Sequence, residues 1–287
     1  MSESFEKRLA ETYGQLSTRL QTAADYVAKN PVDIATRSLR SVEEDTGLAP
    51  ATFTRLARAM GYASFAELRT DLRGKIAQDV NNFAARAERL QAEHGKGQQS
   101  FFSAHLSACI ANIDQMAAQL DQEALAEAVD TLYRAKQVVV LGALGSTGLA
   151  EYLSYMAEYC VGNWRLANRM GSSIGATVSQ LGKGDAMIVI TKPPFSDTVL
   201  KAAQLAHEHG AYVIVLTDTY ACPALRYCSA SFLVPTESPH FYSSYVASMA
   251  LAETMIGMLV SRSGPEAKAR IARIENINLQ LGIVSEG

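Results

Sequence analysis

The stretch that decides the fold is Val138–Ala150, VVVLGALGSTGLA. Four apolar residues, Val138 to Leu141, run without alternation, which marks a strand covered on both faces, as in a parallel α/β sheet. Gly142-Ala143-Leu144-Gly145-Ser146-Thr147-Gly148 then forms a loop of mostly small residues before a helical pattern begins. Ser146 and Thr147 sit where that helix starts. A hydroxyl there can cap the helix or hold an anion, helped by the free N–H groups of the first turn. Taken alone, the stretch leaves two readings open: a tight strand-to-helix turn with a capping serine, or a ligand-holding loop.

Downstream, strand and helix signals alternate. A helix runs to about Cys160, and a short strand lies near Trp164–Ala167. Another helix opens at Met170-Gly171-Ser172-Ser173. Ala186–Ile190 is a strand, Asp197–His209 a helix, Tyr212–Leu216 a strand and Ser231–Val234 another, with a short helical stretch at Pro223–Tyr227 between the last two. A long helix over Phe241–Arg262 and one more over Glu266–Leu281 close the chain. The pattern predicts a doubly wound α/β domain with a mostly five-stranded parallel sheet and helices on both faces, whose ligands sit beyond the strand C-termini. Three hydroxyl-rich segments fall on that edge. They make Gly145, Ser146, Thr147, Ser172, Ser173, Thr191, Lys192, Ser196 and Thr198 the candidate ligand-binding residues for a small polar molecule.

Upstream, residues 1–77 read as all helix. Leu16, Leu20, Ala24 and Val27 recur at helical spacing until Asn30-Pro31 stops the pattern. Ser38 is placed to cap a short helix carrying Leu39 and Val42, which Gly47 ends. Pro50 suits the first turn of a second helix with Phe53, Leu56 and Met60 as its stripe, and Gly61 ends that one. Two helices joined by so short a turn make a helix-turn-helix. Its second helix carries Ala51, Thr52, Thr54, Arg55 and Arg58, read as turned away from the stripe. Arg suits guanine or phosphate and Thr suits base edges or a thymine methyl, so these five are the candidate DNA-binding residues. Residues 1–80 hold eleven Lys or Arg and eleven Asp or Glu, so a basic face rests on local arrangement, with Arg69, Arg73 and Lys75 downstream of the turn. The polar stretch 78–100, with Gly95 and Gly97, is expected to be a linker. Residues 101–287 then form the second domain, with helical pattern over Phe101–Tyr133.

The net charge of −3 over 287 residues excludes a wholly basic nucleic-acid coat. Residues 1–20 are polar and mixed in charge, unlike a signal peptide, and no apolar run reaches membrane-spanning length. A cytoplasmic location without membrane partners is expected. Cys109, Cys160, Cys222 and Cys228 form no C-x-x-C pair and the histidines are scattered, so neither a metal site, a cofactor nor a disulfide framework is indicated.

The sequence resembles the RpiR family of bacterial transcriptional regulators, which join an N-terminal helix-turn-helix to a C-terminal sugar-isomerase (SIS) domain. Gly47-Leu48-Ala49-Pro50-Ala51-Thr52-Phe53-Thr54-Arg55-Leu56 with Met60-Gly61-Tyr62 is similar to the family's recognition helix, although Ala49 stands where the family usually has a capping Ser and Glu43 where a small residue is usual. Val138–Ala150 is similar to the first glycine–serine loop, with Ser146 as the ligand-facing hydroxyl and Leu144 in place of a common Gly. Gly184–Ile190 and Gly210–Asp218 match as well. The second loop departs from the family's Ser-x-Ser-Gly-x-Thr-x-Glu signature: it reads Thr191-Lys192-Pro193-Pro194-Phe195-Ser196-Asp197-Thr198. Two prolines remove N–H donors that would cradle a phosphate, and Lys192 is the candidate counter-charge. The resemblance implies a non-enzymatic regulator that binds a dyad-symmetric double-stranded operator as a homodimer or homotetramer and senses a sugar phosphate or related sugar-derived metabolite. The rival readings are an aldose–ketose isomerase and a SIS scaffold without a ligand. An isomerase needs a base beside a carbonyl, and Thr198 replaces the loop's Glu, leaving Glu151, Glu158, Glu237 and His240 as stand-ins.

Overall fold

The structure is a computed structural model that describes residues 5–81, 83–93, 100–169 and 171–284. It divides into two compact units, Met1–Asn82 and Phe83–Gly287. Among the described residues no helix is long and apolar enough to cross a membrane.

The first unit is built of α1 (Phe5–Thr12), α2 (Thr18–Lys29), α3 (Pro31–Thr36), α4 (Leu39–Thr46), α5 (Pro50–Ala59) and α6 (Phe65–Asn81). Its core gathers one face of each helix, including Ala24, Val27, Ile34, Val42, Phe53, Leu56, Leu68 and Leu72. Phe53 sits at the centre, meeting the rings of Tyr26 and Phe65 edge-on at 6.4 Å each. Asn30-Pro31 ends α2 as expected, but the chain re-enters a helix at once because Pro31 occupies the first position of α3, where no N–H is needed. Ser38 caps α4 by accepting from the Ser41 N–H at 3.1 Å. Gly47 closes it at φ +65°, in the left-handed region that favours glycine. Ala49 precedes α5 without a side-chain cap, and Pro50 is its first residue. The polar stretch expected to be a linker is helical through residue 93: α6 runs to Asn81 and α7 spans Phe83–Glu93. Gly95 and Gly97, which carried the linker reading, lie outside the described residues, as does Met170.

The second unit continues with α8 (Phe101–Gln119), α9 (Gln122–Arg134), β1 (Val138–Gly142), α10 (Thr147–Cys160), β2 (Trp164–Leu166), α11 (Ile174–Val178), β3 (Ala186–Ile190), α12 (Asp197–Glu208), β4 (Tyr212–Thr217), β5 (Ala230–Leu233) and α13 (Val246–Gln280). The five strands are parallel in the order β2-β1-β3-β4-β5. Alternate residues of each central strand feed two cores. Val138, Val140, Ile188 and Ile214 pack with α9, α10 and α13, while Val139, Leu141, Met187 and Val213 pack with α11 and α12. Every residue of β1 and β3 is therefore buried, which is why neither stretch alternates in sequence. The last helix begins at Val246 instead of Phe241. Residues 236–245 form a loop instead, closed by the Ser244 N–H donating to the Thr236 carbonyl at 3.0 Å. Gly264, at φ 56° and ψ −139°, and Pro265 kink α13 at the break read between the last two helices.

Candidate functional site

In the first unit, α5 exposes Ala51, Arg55 and Arg58 and leaves Thr54 half-buried. The Arg55 side chain folds back, its Nε donating to the Ala51 carbonyl at 3.3 Å, and the Thr54 hydroxyl donates to the Pro50 carbonyl at 3.3 Å. Thr52 corrects the sequence reading. It is 1% exposed, on the core side of the helix, because it lies one turn before Leu56 on the apolar stripe. The downstream arginines also differ from expectation: Arg69 Nε donates to the Ile34 carbonyl at 2.9 Å, and Arg73 Nε to the Ala35 carbonyl at 2.8 Å, so both tie α6 to α3. The side chain of Lys75 lies outside the described residues.

In the second unit, the loops that follow β1, β3 and β4 meet the 236–245 loop at the C-terminal edge of the sheet. Gly142 ends β1 where a Cβ would come within 2.5 Å of the Ser146 carbonyl oxygen, so only glycine lets the loop fold back so tightly. Leu144 follows at φ +54°, a conformation costly for a side chain, and points into solvent at 60% exposure, so it does not narrow the loop as its size suggests. The tip of Tyr242 lies over Gly145, where an added Cβ would meet the ring at 2.6 Å. Ser146 is buried, with its hydroxyl 3.0 Å from that of Tyr245. Thr147 opens α10, half-buried.

The second loop delivers Lys192 into the same place. It is 5% exposed, its Nζ donates to the Ser248 hydroxyl at 2.7 Å, and the ammonium stands 3.9 Å from the centre of the Tyr245 ring. Lys192 is therefore not a surface lysine. Tyr245 joins the first two loops, touching Ser146 by its hydroxyl and Lys192 by its face. Thr191 is buried at the end of β3, Ser196 precedes α12 without bonding its first-turn amides, and Thr198 is exposed on the first turn of α12. The Pro193–Pro194 peptide is cis. The third loop, absent from the sequence candidates, adds Asp218, one oxygen of which accepts from Thr236 at 2.7 Å while the other is buried without a partner.

Burial sets the electrostatics. It pushes the Lys192 ammonium down to about 8, opposed by the neighbouring Asp218 carboxylate. It pushes the Asp218 carboxyl up, opposed by the Thr236 hydroxyl and then by Lys192. It raises the Tyr245 phenol to about 12 against the hydrogen bond from Ser146. Lys192 bonds a hydroxyl and not the carboxylate, so one donor and one acceptor remain available to a polar ligand.

Ser172 and Ser173 do not join this cluster. The Ser172 hydroxyl is shared between the Ala167 and Arg169 carbonyls at 2.8 and 2.6 Å, and Ser173 caps α11 by accepting from the Ala176 N–H at 3.2 Å. Both serve local structure. Glu151, Glu158 and Glu237 are exposed, so none is a buried base within this cluster. Among the described residues no group of His, Cys, Asp and Glu is arranged to hold a metal ion, and the four cysteines are free thiols. Tyr245, Ser248 and Asp218 escaped the sequence reading. Only the hydroxyls of Ser244, Tyr245 and Ser248 beside the apolar start of α13 hinted at the first two.

The comparisons with known proteins follow the same division. Residues 131–258 match the SIS domain family. The HTH-type transcriptional regulator HexR of Pseudomonas aeruginosa is 25% identical over 95% of this chain and 93% of its own. Among solved structures, the Vibrio vulnificus NanR protein complexed with ManNAc-6P aligns with a TM-score of 0.63 at 20% identity, covering 97% of this chain and 99% of NanR. The sugar isomerase domain of an RpiR transcription factor from Sphaerobacter thermophilus aligns at 0.59 and 22% identity, covering 62% and 99%. Residues 131–258 thus carry the SIS domain, and a helical first unit with α4 and α5 as its helix-turn-helix, followed by that five-stranded parallel domain, is the architecture shared with these regulator structures, with similarity to HexR along nearly the whole chain.

Proposed function

We propose that this protein is a transcriptional regulator that binds an operator through α5 and changes its DNA affinity when a sugar-derived metabolite occupies the crevice around Ser146, Lys192 and Tyr245. The observation that carries the reading is a cluster of side chains: a buried lysine, a buried carboxylate with a free oxygen and convergent hydroxyls at the strand C-termini, where open α/β sheets bind ligands. HexR is a transcriptional regulator and NanR was solved with a sugar phosphate, which supports the same reading. Ser146, Thr147, Thr191, Ser196 and Lys192 bind the ligand, with Asp218 accepting from one of its hydroxyls. Ser172 and Ser173 have no part in it. Ala51, Arg55 and Arg58 face the DNA, while Thr52 holds α5 to the core.

The active species is a homo-oligomer reading a dyad-symmetric operator. Phe102, Leu106 and Ile110 repeat along one exposed face of α8, a stripe of apolar side chains that assembly would cover. The reading is of a binding protein and not of an isomerase: Glu151, Glu158 and Glu237 are exposed, and Thr198 stands where the loop's Glu would be. The test is a thermal-shift screen of sugar phosphates, sugar acids and polyols, since a ligand bound only by the native state raises its melting temperature. At least one class should shift the melting temperature and, at the same concentration, the affinity for operator DNA. No shift with any class would leave the crevice a scaffold, and conversion of an aldose to a ketose would make the protein an isomerase.

A further inference from the structure

α7 and residues 238–240 of the 236–245 loop border a cavity of about 130 Å3, lined by Arg86, Arg89, Leu90, Ser238, Pro239 and His240. Arg86 and Arg89 lie three residues apart and so share one face of the helix. The Arg86 guanidinium is oriented by donating to the His240 carbonyl at 3.2 Å, which leaves most of its N–H groups for another acceptor. Among the described residues no carboxylate pairs with either arginine. Ser238 is held in place: its Oγ accepts from the His240 N–H at 3.0 Å and lies 3.4 Å from Nδ1 of His105. The helix itself is docked by Phe83, which stacks on Tyr242 at 4.8 Å and meets Phe241 edge-on at 6.3 Å. The chain carries a net charge of −3, so two such arginines around one cavity are not the by-product of a basic coat.

We propose that this cavity is an oxyanion site that takes a phosphate group, held by the Arg86 and Arg89 guanidinium groups and the Ser238 hydroxyl. Guanidinium forks match the spacing of phosphate oxygens and bind them in pairs. The volume holds several waters, enough for a tetrahedral anion but not for a whole phosphorylated sugar, so the remainder of a bound ester projects out of it. The site shares no ligating residue with the crevice, and it stands whether or not the crevice binds a metabolite.

The experiment uses the full-length protein and follows its melting temperature in sodium phosphate against sodium chloride at matched ionic strength. Phosphate should raise the wild-type melting temperature above that in chloride, saturably, and the shift should vanish in Arg86→Gln combined with Arg89→Gln. Ser238→Ala should weaken the apparent phosphate affinity at least threefold while leaving the arginines in place. Ser146→Ala combined with Ser196→Ala should keep the full shift. Glycerol phosphate in a parallel arm tells a phosphate ester from the free ion: a larger shift at equal concentration assigns the site to a phosphorylated metabolite, and a smaller one to inorganic phosphate. The proposal fails if wild type responds to phosphate no more than to chloride. It fails equally if the glutamine variant, compared with its own melting point in chloride, keeps the wild-type shift, or if only the Ser146 and Ser196 variant loses it.

Discussion

Lys192 shows how a single side chain is decided by its surroundings. In the sequence it is a lysine beside two prolines, and nothing local separates a buried cation from a surface one. Its partners, Ser248 and Tyr245, lie more than fifty positions away, so the interaction is set by the fold. A pKa of about 8 in the folded state, against the ordinary lysine value of 10.5, means that the unfolded chain binds more protons between those values. Burial of the charge therefore costs stability in full below pH 8, and that cost is relieved as pH rises towards 10.5. The shift corresponds to about 3 kcal/mol. Lys192→Met should melt higher than wild type at about pH 7, and its advantage should shrink as pH rises from about 8 to about 10; an advantage independent of pH would contradict the burial of a charged amine. Thr52 gives a second test. Its hydroxyl is buried without a partner, and removing an unsatisfied group recovers about 1–3 kcal/mol. Thr52→Val should raise the melting temperature and leave DNA affinity unchanged, whereas a loss of DNA affinity would return Thr52 to the recognition surface. The sequence reading misplaced Thr52 because a threonine fits a base contact and a helix core alike. The helical phase of Leu56, one turn on, was the signal that separates the two.

At the scale of elements, strongly punctuated segments were the legible ones. Ser38, Gly47, Pro50 and Gly61 bracket α4 and α5, and all four act where the sequence placed them. The unalternating runs of β1 and β3 announced a sheet covered on both sides. Segments whose structure depends on distant partners were not legible. The 236–245 loop contains helix-compatible residues, yet Ser244 is drawn to Thr236, and the Glu237 backbone to the Asn112 side chain, so the helix starts only at Val246. Ser172 and Ser173 had the composition of a ligand loop but serve the turn before α11. On α5, Arg55 and Arg58 are exposed, whereas Arg69 and Arg73 of α6 donate to the backbone of α3. Arg55→Ala should weaken operator binding by about 1–3 kcal/mol and relax the preference at one base pair, as loss of a base contact does. Arg58→Ala should weaken binding evenly across sequences and reduce its salt dependence. Fluorescence anisotropy on operator variants at several salt concentrations reads both, and unchanged affinity in both variants would remove α5 from recognition.

At the scale of the molecule, the division after Asn82 places α7 in the second unit. A fragment of residues 83–287 should therefore be more stable than one of residues 101–287, which loses the Phe83 contacts with Phe241 and Tyr242. Aromatic pairs of this kind contribute about 0.5–1.5 kcal/mol each beyond the area they bury. Equal melting temperatures for the two fragments would show that α7 does not pack on this unit. Both fragments should self-associate at micromolar concentration in sedimentation, and a strictly monomeric fragment would count against the exposed stripe of α8 as an assembly surface. The most direct test of the whole account is the change in operator affinity produced by the metabolite that raises the melting temperature, measured on the full-length wild type and on Ser146→Ala combined with Ser196→Ala. Regulation through the crevice predicts a response in the wild type that is largely lost in the double variant, with basal DNA binding intact in both. A double variant that responds to the metabolite as the wild type does would contradict it.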